Sequence, residues 1–547
     1  MAKSIVKEVN GMFELTETMP DSQLYNQDLA PVPLAKRNWG YYEFIAIWVG
    51  MSVCVPTWML GASMVDAGFN WAIVIGTIAL GNIIVLIPMI LNSFAGTKYG
   101  IPFPVFLRSA FGVYGANIPA LLRAIVAIGW FGIQTMIMAF AIDGILVELS
   151  PGYGAMAGMI GFFNLPAHTV ISFLISWIMT VAICYYSSPR HSAPGVKWLN
   201  DLSAPILLLI GFGLLYWGYV KAGGWGPILS QPTTASMAIW PAFLTAMVAY
   251  WATLAINISD LTRFAKNQKV QYIGQALGMP TTMTLYSFIG VAVTSATVVI
   301  YGTAIWDPVA LMIKTGSVFF IYVGLIFVIL ATLTTNIAAN MIAPINDVMH
   351  VYPKKLNWEV TTIVISLIGI LMQPWRFLAD PNAYIWTWLL GYGAFLGPVA
   401  GVVVADFWLI RKQTIKLDDI YKKDGYYDFK TKANPIMTVL LVICAALILY
   451  FSTKGLILGT GWPSILTTGV LVIGVLGAIY LGYSKVHGVN MVGAVSLFLG
   501  IVVSMGLPLV VPAAGMWTWF IGLFVSLILY YVLYPAWYGK IFGLVPK

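Results

Sequence analysis

Long runs of apolar residues constrain this fold more than any other feature of the chain. Fourteen segments are close to the ~20 residues that an α-helix needs to cross about 30 Å of hydrocarbon. They lie at about residues 43–65, 70–94, 117–148, 166–187, 199–220, 237–259, 278–301, 317–348, 359–375, 383–410, 435–452, 464–483, 490–511 and 516–536. Only 9% of the residues are charged, whereas soluble domains carry about 25%. The sequence therefore predicts an all-α polytopic membrane protein with about fourteen spans.

The basic residues predict the orientation of the chain. With the N-terminus inside, 23 of the 28 Lys and Arg residues fall in cytoplasmic segments, four fall on the opposite side, and Arg123 lies within the third span. This asymmetry is typical of a membrane protein whose N- and C-termini are both cytoplasmic. The net charge of +8 is thus a topological signal and does not indicate a nucleic-acid partner. We expect an integral protein of the plasma or inner membrane, whose first span acts as the insertion signal.

The eighth span is interrupted by Ala-Thr-Leu-Thr-Thr-Asn-Ile-Ala-Ala-Asn at residues 331–340. Unsatisfied amides and hydroxyls cost several kcal/mol, roughly, in hydrocarbon, so these groups must face protein or a wet cavity. Asn336 and Asn340 are four residues apart and share one helical face, with Thr332 one turn earlier. We interpret this face as the wall of a binding site.

Three other spans carry polar or aromatic groups at mid-membrane depth. In the first span, Gly50 and Pro56 bracket half a helix, and the proline either breaks the span or only kinks it. In the third span, Trp130 and Gln134 lie four residues apart, so an indole could stack on a planar ring while an amide binds its edge. The sixth span contains Tyr250 and Trp251.

Charged residues inside the spans are functional candidates by default. Arg123 and Asp260 lie toward the cytoplasmic ends of the third and sixth spans. We hypothesise that they form a gating ion pair that changes between outward-open and inward-open states. A static or snorkelling pair remains the alternative.

Several stretches of the chain together resemble the nucleobase-cation symporters, which include hydantoin, allantoin, cytosine and uracil permeases. They are residues 37–39, 96–105 (Gly-Thr-Lys-Tyr-Gly-Ile-Pro-Phe-Pro-Val), 115–124, 130–135, 251–260, 330–340 and 397–401. The resemblance implies a LeuT-like fold of two inverted five-helix repeats, with the site at discontinuous helices 1 and 6. It also implies a break near Tyr250, which no Gly or Pro between Thr245 and Asn257 would indicate.

This resemblance also divides the chain. A cytoplasmic N-terminal segment at 1–38 is followed by the first repeat at 39–220, the second repeat at 237–411, a cytoplasmic loop at 412–434 and C-terminal helices 11–14 at 435–547. Within the last part, we expect residues 435–484 to be an inserted hairpin.

Site residues follow from the same resemblance, position by position. A sodium site would use the backbone of Gly50, Val53 and Ala331 and the side chains of Thr334 and Thr335; oxygen ligands of this kind suit a hard cation. The substrate ring would be sandwiched by two indoles and bound at its edges by amides, with a departure at Cys54, where the hydantoin transporter has glutamine. The implied substrate-binding residues are Trp130, Gln134, Tyr250 through its backbone, Trp251, Asn336, Asn340 and Cys54.

The sequence thus favours a cation-coupled symporter of a planar heterocycle such as uracil, allantoin, a hydantoin or a purine, with no cofactor. We favour Na⁺ over a proton because no carboxylate lies at the level of Thr334. A channel or a transport-inactive receptor is a further alternative, whereas an enzyme is not expected because the motifs of hydrolases and phosphate-binding loops are missing. The oligomeric state is left open.

Overall fold

The structure, a computed structural model, describes residues 5–186, 194–379, 382–429 and 488–542, together with 443–444 and 446–447. The predicted hairpin at 435–484, with its spans at 435–452 and 464–483, therefore lies outside the described residues apart from those four positions. The other twelve predicted spans are all covered.

Each covered span is helical, which confirms the predicted all-α fold. Eight helices in the described ranges are long and apolar enough to cross a membrane alone, and the bent first span makes a ninth. Spans 1 to 10 are Tyr41–Ser52 with Val55–Asp66, Trp71–Tyr99, Asn117–Leu149, Ala167–Tyr186, Pro194–Lys221, Trp240–Tyr250 with Ala252–Asn257, Gln268–Tyr301, Phe319–Val351, Trp358–Leu371 and Ala383–Ile410; the two C-terminal spans are Met491–Gly506 and Thr518–Phe542.

Shorter elements connect the spans. Helices occur at Phe103–Phe111, Pro151–Gly154, Trp225–Leu229, Ser259–Thr262 and Pro308–Lys314, and two small antiparallel hairpins pair Val6–Val9 with Met12–Leu15 and Met159–Ile160 with Leu165–Pro166. Spans 2 and 7 begin and end alike. The Asn70 side chain accepts from the Ile73 N–H before span 2, which stops at Gly100 with φ 71°. Asparagine caps and left-handed glycines are the expected signals for such boundaries.

Spans 1 to 10 form two packed groups. Spans 1, 2, 6 and 7 pack on one another, and spans 3, 4, 8 and 9 form the second group. Span 5 contacts both spans 7 and 8, while span 10 packs against span 6 and the last C-terminal span. The candidate site lies where the two groups meet.

Two spans are discontinuous. In span 1 the two helices meet at Val53 and Cys54 with a bend of 56°. Pro56 lies in the first turn of the second half, where its missing N–H would have no intrahelical partner in any case. In span 6 the first helix ends at Tyr250, and Trp251 (φ −98°, ψ 5°) precedes the second helix. The break expected near Tyr250 is therefore present, and the feature at Pro56 is a break and not a simple kink.

The N-terminal segment is held against the end of span 2. The buried Arg37 guanidinium donates to the carbonyl oxygens of Val32 (2.8 Å) and Thr97 (3.0 Å), and also to that of Phe13. Burial lowers the pKa of Arg37 to about 10, so the side chain stays charged at neutral pH. This segment lines a vestibule at its own end of the molecule, here named the N-terminal face.

A buried carboxylate joins span 10 to the C-terminal spans. Asp406 accepts hydrogen bonds from Arg411 Nε (2.8 Å), Ser109 Oγ (2.9 Å) and Tyr530 OH (2.7 Å). Arg411 and Ser109 lie in the connecting segments, and Tyr530 lies in the last span. One side chain thus fixes three elements in the same place.

Asp406→Ala should therefore destabilise the protein strongly. Removing one partner of a buried ion pair costs about 3–5 kcal/mol, because the remaining charge is left buried without compensation. The measurement is thermal unfolding of the purified protein. Asp418→Ala is the matched control, since Asp418 and Lys422 form a solvent-exposed pair that contributes about 0–1 kcal/mol. Equal destabilisation by the two variants would contradict the conclusion that Asp406 holds three elements together.

Candidate functional site

The polar face of span 8 is ordered by a chain of amides. The helix winds with π-helical geometry over Asn336–Met341, a distortion that often marks functional sites. Asn336 Nδ2 donates to the carbonyl oxygen of Phe131 and to Thr135 Oγ1, both at 3.1 Å, and Asn336 Oδ1 accepts from Asn340 Nδ2 at 3.1 Å. Asn336 is therefore bound to span 3 and orients the Asn340 amide.

A small central cavity lies between the two groups of spans. Its volume is about 30 Å³, room for roughly two or three water molecules. It is lined by Met51, Cys54, Trp130, Gln134, Tyr250, Trp251, Thr253, Leu254, Thr335, Ala339 and Asn340. Six of the seven predicted substrate-binding residues thus converge on one cavity. The seventh, Asn336, lies behind the lining and contacts it through Asn340.

Trp130 is held by a shell of other aromatic rings. Its ring centroid lies 5.3 Å from that of Tyr250, 6.1 Å from Tyr384, 5.8 Å from Trp388 and 6.4 Å from Tyr392, each at a steep angle. A Cβ at Gly129 would come within 2.1 Å of the Trp388 ring, so the glycine is needed for this close packing. Edge-to-face contacts of this kind fix the indole plane.

On the other side of the cavity, Trp251 is fixed by spans 1 and 7. Its ring meets Trp48 edge to face at 5.1 Å, and its Nε1 donates to Met283 Sδ at 2.8 Å. Gln134 also lines the cavity, and its Oε1 is buried and has no hydrogen-bond partner in the described part of the chain. A buried acceptor of this kind stabilises a ligand that supplies an N–H donor.

Four of the five predicted cation ligands form two hydrogen bonds, and Thr335 also lines the cavity. Thr335 Oγ1 donates to the Gly50 carbonyl oxygen at 3.2 Å, and Thr334 Oγ1 donates to the Ala331 carbonyl oxygen at 2.9 Å. The fifth, Val53, is the residue at which the first half of span 1 ends. Carbonyl and hydroxyl oxygens without formal charge are a donor set that fits Na⁺.

A profile of permeases for cytosine and purines, uracil, thiamine and allantoin matches residues 31–477. The chain belongs to this permease family, the nucleobase-cation symporters. The permease is 39% identical over 435 residues to the purine-uracil permease NCS1 of Arabidopsis thaliana, covering 78% of this chain and 71% of the relative. It is 35% identical over 420 residues to the allantoin permease of Bacillus subtilis, covering 76% and 84%.

A solved structure of Mhp1, a nucleobase-cation-symport-1 family transporter in a closed conformation with bromovinylhydantoin bound, superposes with a TM-score of 0.64. That chain is 26% identical, and the match covers 84% of the permease and 95% of Mhp1. The permease thus has the expected LeuT-like fold, with additional C-terminal helices. It is a transporter and not an enzyme.

The predicted ion pair between Arg123 and Asp260 is not formed in the permease structure. Arg123 Nη1 lies 3.6 Å from Asp347 Oδ2, and both side chains are fully buried. Asp260 instead accepts from the Phe103 N–H at 2.9 Å and from Asn257 Nδ2 at 3.1 Å. The reason is packing: spans 3 and 8 are in direct contact, whereas Asp260 caps the short helix Phe103–Phe111.

Sequence reasoning also missed the aromatic face of span 10. Tyr384, Trp388 and Tyr392 are spaced four residues apart, and all three contact Trp130. The hydroxyl groups of the two tyrosines also bind the broken spans. Tyr384 donates to the Pro56 carbonyl oxygen (3.2 Å) and Tyr392 to the Ala249 carbonyl oxygen (2.9 Å). The regular spacing of these rings is the signal that could have identified them.

The central cavity adjoins a vestibule of about 1110 Å³ at the N-terminal face. Met51, Leu254 and Ala339 line both spaces. Polar residues of the vestibule include Asn257, Asp260, Arg263 and Asn346. Only a thin apolar layer therefore separates the site from a polar opening on this side.

Asp347→Ala should lower the free energy of unfolding of the permease more than Asp260→Ala does. Asp347→Ala leaves Arg123 buried without its ion-pair partner, which should cost about 3–5 kcal/mol. Asp260→Ala removes the acceptor of Asn257 Nδ2 and of the Phe103 N–H, and the loss at the fixed backbone donor should cost about 1–3 kcal/mol. Thermal unfolding of both variants tests the order. A larger loss for Asp260→Ala would instead favour a pair between Arg123 and Asp260.

Proposed function

We propose that the permease is a secondary active symporter that couples the entry of Na⁺ to the entry of a small planar heterocycle. The observation that carries this proposal is the convergence of Trp130, Trp251, Gln134 and Asn340 on one cavity, beside the contact between Thr335 and Gly50. Aromatic rings and amide groups suit a planar heterocycle, and uncharged oxygens suit Na⁺.

The cavity chemistry favours rings with alternating N–H and C=O groups. The unpaired Gln134 Oε1 needs a donor, and the Asn340 amide can both donate and accept. Uracil, allantoin, hydantoins and purines all present such edges, and the relatives named for purine, uracil and allantoin transport support this class. Cys54 Sγ lies 3.3 Å from Tyr250 OH and 3.4 Å from Thr57 Oγ1. A thiol so placed is a weak partner for a ring edge, which makes hydantoin a poorer candidate.

Sodium fits the proposed cation site better than a proton. The five oxygen donors are carbonyls and hydroxyls, which bind a hard cation but do not titrate. Asp347 follows Thr335 by twelve residues, about 18 Å along a helix. Asp347 is thus remote from this site.

Alternating access follows from the arrangement of the spans. The proposed cation ligands come from span 1 in one packed group and span 8 in the other. Rocking of the groups would expose the site first to one face and then to the other. From the distribution of Lys and Arg, we place the N-terminal face, with its vestibule, in the cytoplasm.

A ligand screen tests this function directly. The purified permease would be heated with nucleobases, allantoin and hydantoins in Na⁺ or in choline, and stabilisation by one ring only in Na⁺ is expected. Uptake of that ring into proteoliposomes should saturate and follow an inward Na⁺ gradient. Non-saturating flux would indicate a channel, binding without uptake a receptor, and dependence on a pH gradient a proton symporter.

Trp130→Ala and Trp251→Ala should each weaken substrate binding. Stacking of a base on an aromatic side chain contributes about 1–3 kcal/mol, so the dissociation constant should rise about 5- to 150-fold. Titration of substrate against the thermal shift measures this change. Trp225→Ala is the control, because Trp225 is exposed and remote from the cavity. Unchanged affinity in both site variants would refute the sandwich.

Thr335→Val should weaken Na⁺ and substrate together. The change removes one oxygen from the cation site while keeping the side-chain shape, and coupling between two sites is reciprocal. The stimulation of substrate affinity by Na⁺ should therefore shrink by the same factor as the stimulation of Na⁺ affinity by substrate. Thr281→Val is the control, since Thr281 is an exposed residue of span 7 and does not line the cavity. Full Na⁺ stimulation in Thr335→Val would exclude this residue as a ligand.

A further inference from the structure

The phenol ring of Tyr250 lies beside both indoles that the proposed function assigns to the substrate. Its centroid is 5.3 Å from that of Trp130, with an angle of 72° between the ring planes, and 5.0 Å from that of Trp251, with an angle of 85°. It therefore presents its edge to each indole. Tyr250 itself is 94% buried, with 6% of its surface exposed, and it lines the central cavity.

The hydroxyl of Tyr250 fixes the other end of the ring. Tyr250 OH lies 2.9 Å from Thr57 Oγ1 and 3.3 Å from Cys54 Sγ. Cys54 is the last residue before the second half of span 1, and Thr57 lies in the first turn of that half. The side chain thus joins the break in span 6 to the break in span 1, so its ring is held at both ends.

The small volume of the cavity depends on this ring. With about 30 Å³ left, a heterocycle enters only if the walls move outward. The indoles are packed against several further rings, and Asn340 is hydrogen-bonded to Asn336. Tyr250 contacts both indoles with its ring and is held at its tip by two hydrogen bonds. Its ring therefore limits the space beside the two indoles.

We propose that Tyr250 is the specificity-determining residue that sets the size of the transported ring. Its phenol limits the width of the cavity beside the two indoles, so that a compact single-ring imide is accepted and a fused two-ring purine is disfavoured. The bond to Thr57 keeps the phenol in that position. This inference rests on the proposed function, because it refines the substrate class of the same site.

The test compares a single-ring and a two-ring substrate, uracil and hypoxanthine, in Na⁺. Tyr250→Ala should raise the ratio of kcat/KM for hypoxanthine to that for uracil at least about tenfold, since even one methylene in a pocket changes selectivity by 10- to 200-fold. Tyr250→Trp should lower the ratio. Tyr250→Phe and Thr57→Val should each raise it by a smaller factor, and the double variant no further than Tyr250→Phe alone, because that change already removes the hydrogen bond to Thr57.

Several outcomes separate the two proposals. An unchanged ratio in Tyr250→Ala, with uracil uptake still present, overturns the size filter and leaves the proposed function intact. If the unmodified permease binds and transports neither ring, the size filter is overturned, and the screen with allantoin and hydantoins decides the proposed function separately. If Tyr250→Ala does not fold, Tyr250→Leu takes its place, because it also removes the phenol ring. Trp225→Ala is the control, because Trp225 is exposed and does not line the cavity, and it should leave the uptake of both rings and their ratio unchanged.

Discussion

The structure depends on how it satisfies the backbone at two broken helices inside a membrane. A helix end leaves carbonyl and amide groups without intrahelical partners, and hydrocarbon supplies none. Neighbouring side chains therefore have to provide them. Thr335 donates to the Gly50 carbonyl and Tyr392 to the Ala249 carbonyl, each in the last turn before a break, and Tyr384 donates to the Pro56 carbonyl in the first turn after the break in span 1. Polar and aromatic groups thus gather at mid-membrane depth for a structural reason, and the candidate site lies among them.

Contacts within each packed group differ in kind from contacts between the groups. Tyr250 and Thr57 link spans 6 and 1, and Asn336 links span 8 to Phe131 and Thr135 of span 3. Both sets are direct hydrogen bonds inside one group. Across the interface, Trp130 meets Tyr250 through ring edges alone, and Thr335 meets Gly50 through one hydrogen bond. In the proposed mechanism each group moves as a unit, and ligands bound at the interface shift the balance between its arrangements.

Much of this fold could be predicted from the sequence, because hydrocarbon imposes a simple rule on span length and charge. The break in span 1 is signalled by Pro56, and the shared face of Asn336 and Asn340 follows from helical spacing. The break in span 6 could not be read from the residues, since helix-forming residues surround Trp251 and only the family resemblance indicated it. The ion-pair partner of Arg123 could not be predicted from the sequence either. Spacing along one helix does not reveal whether Asp260 or Asp347 lies next to span 3 after packing.

An uncharged cation site suits a transporter for energetic reasons. A carboxylate at Thr335 would bind Na⁺ more tightly, but conduction and transport require that an ion also leave. Neutral carbonyls and hydroxyls offset part of the dehydration cost without holding the ion permanently. In our proposal these oxygens come from span 1 and span 8, so the bound ion connects the two groups. The ion then binds one arrangement of the groups more tightly than the other. This difference in binding free energy favours the arrangement that also binds the substrate, and so couples the two solutes.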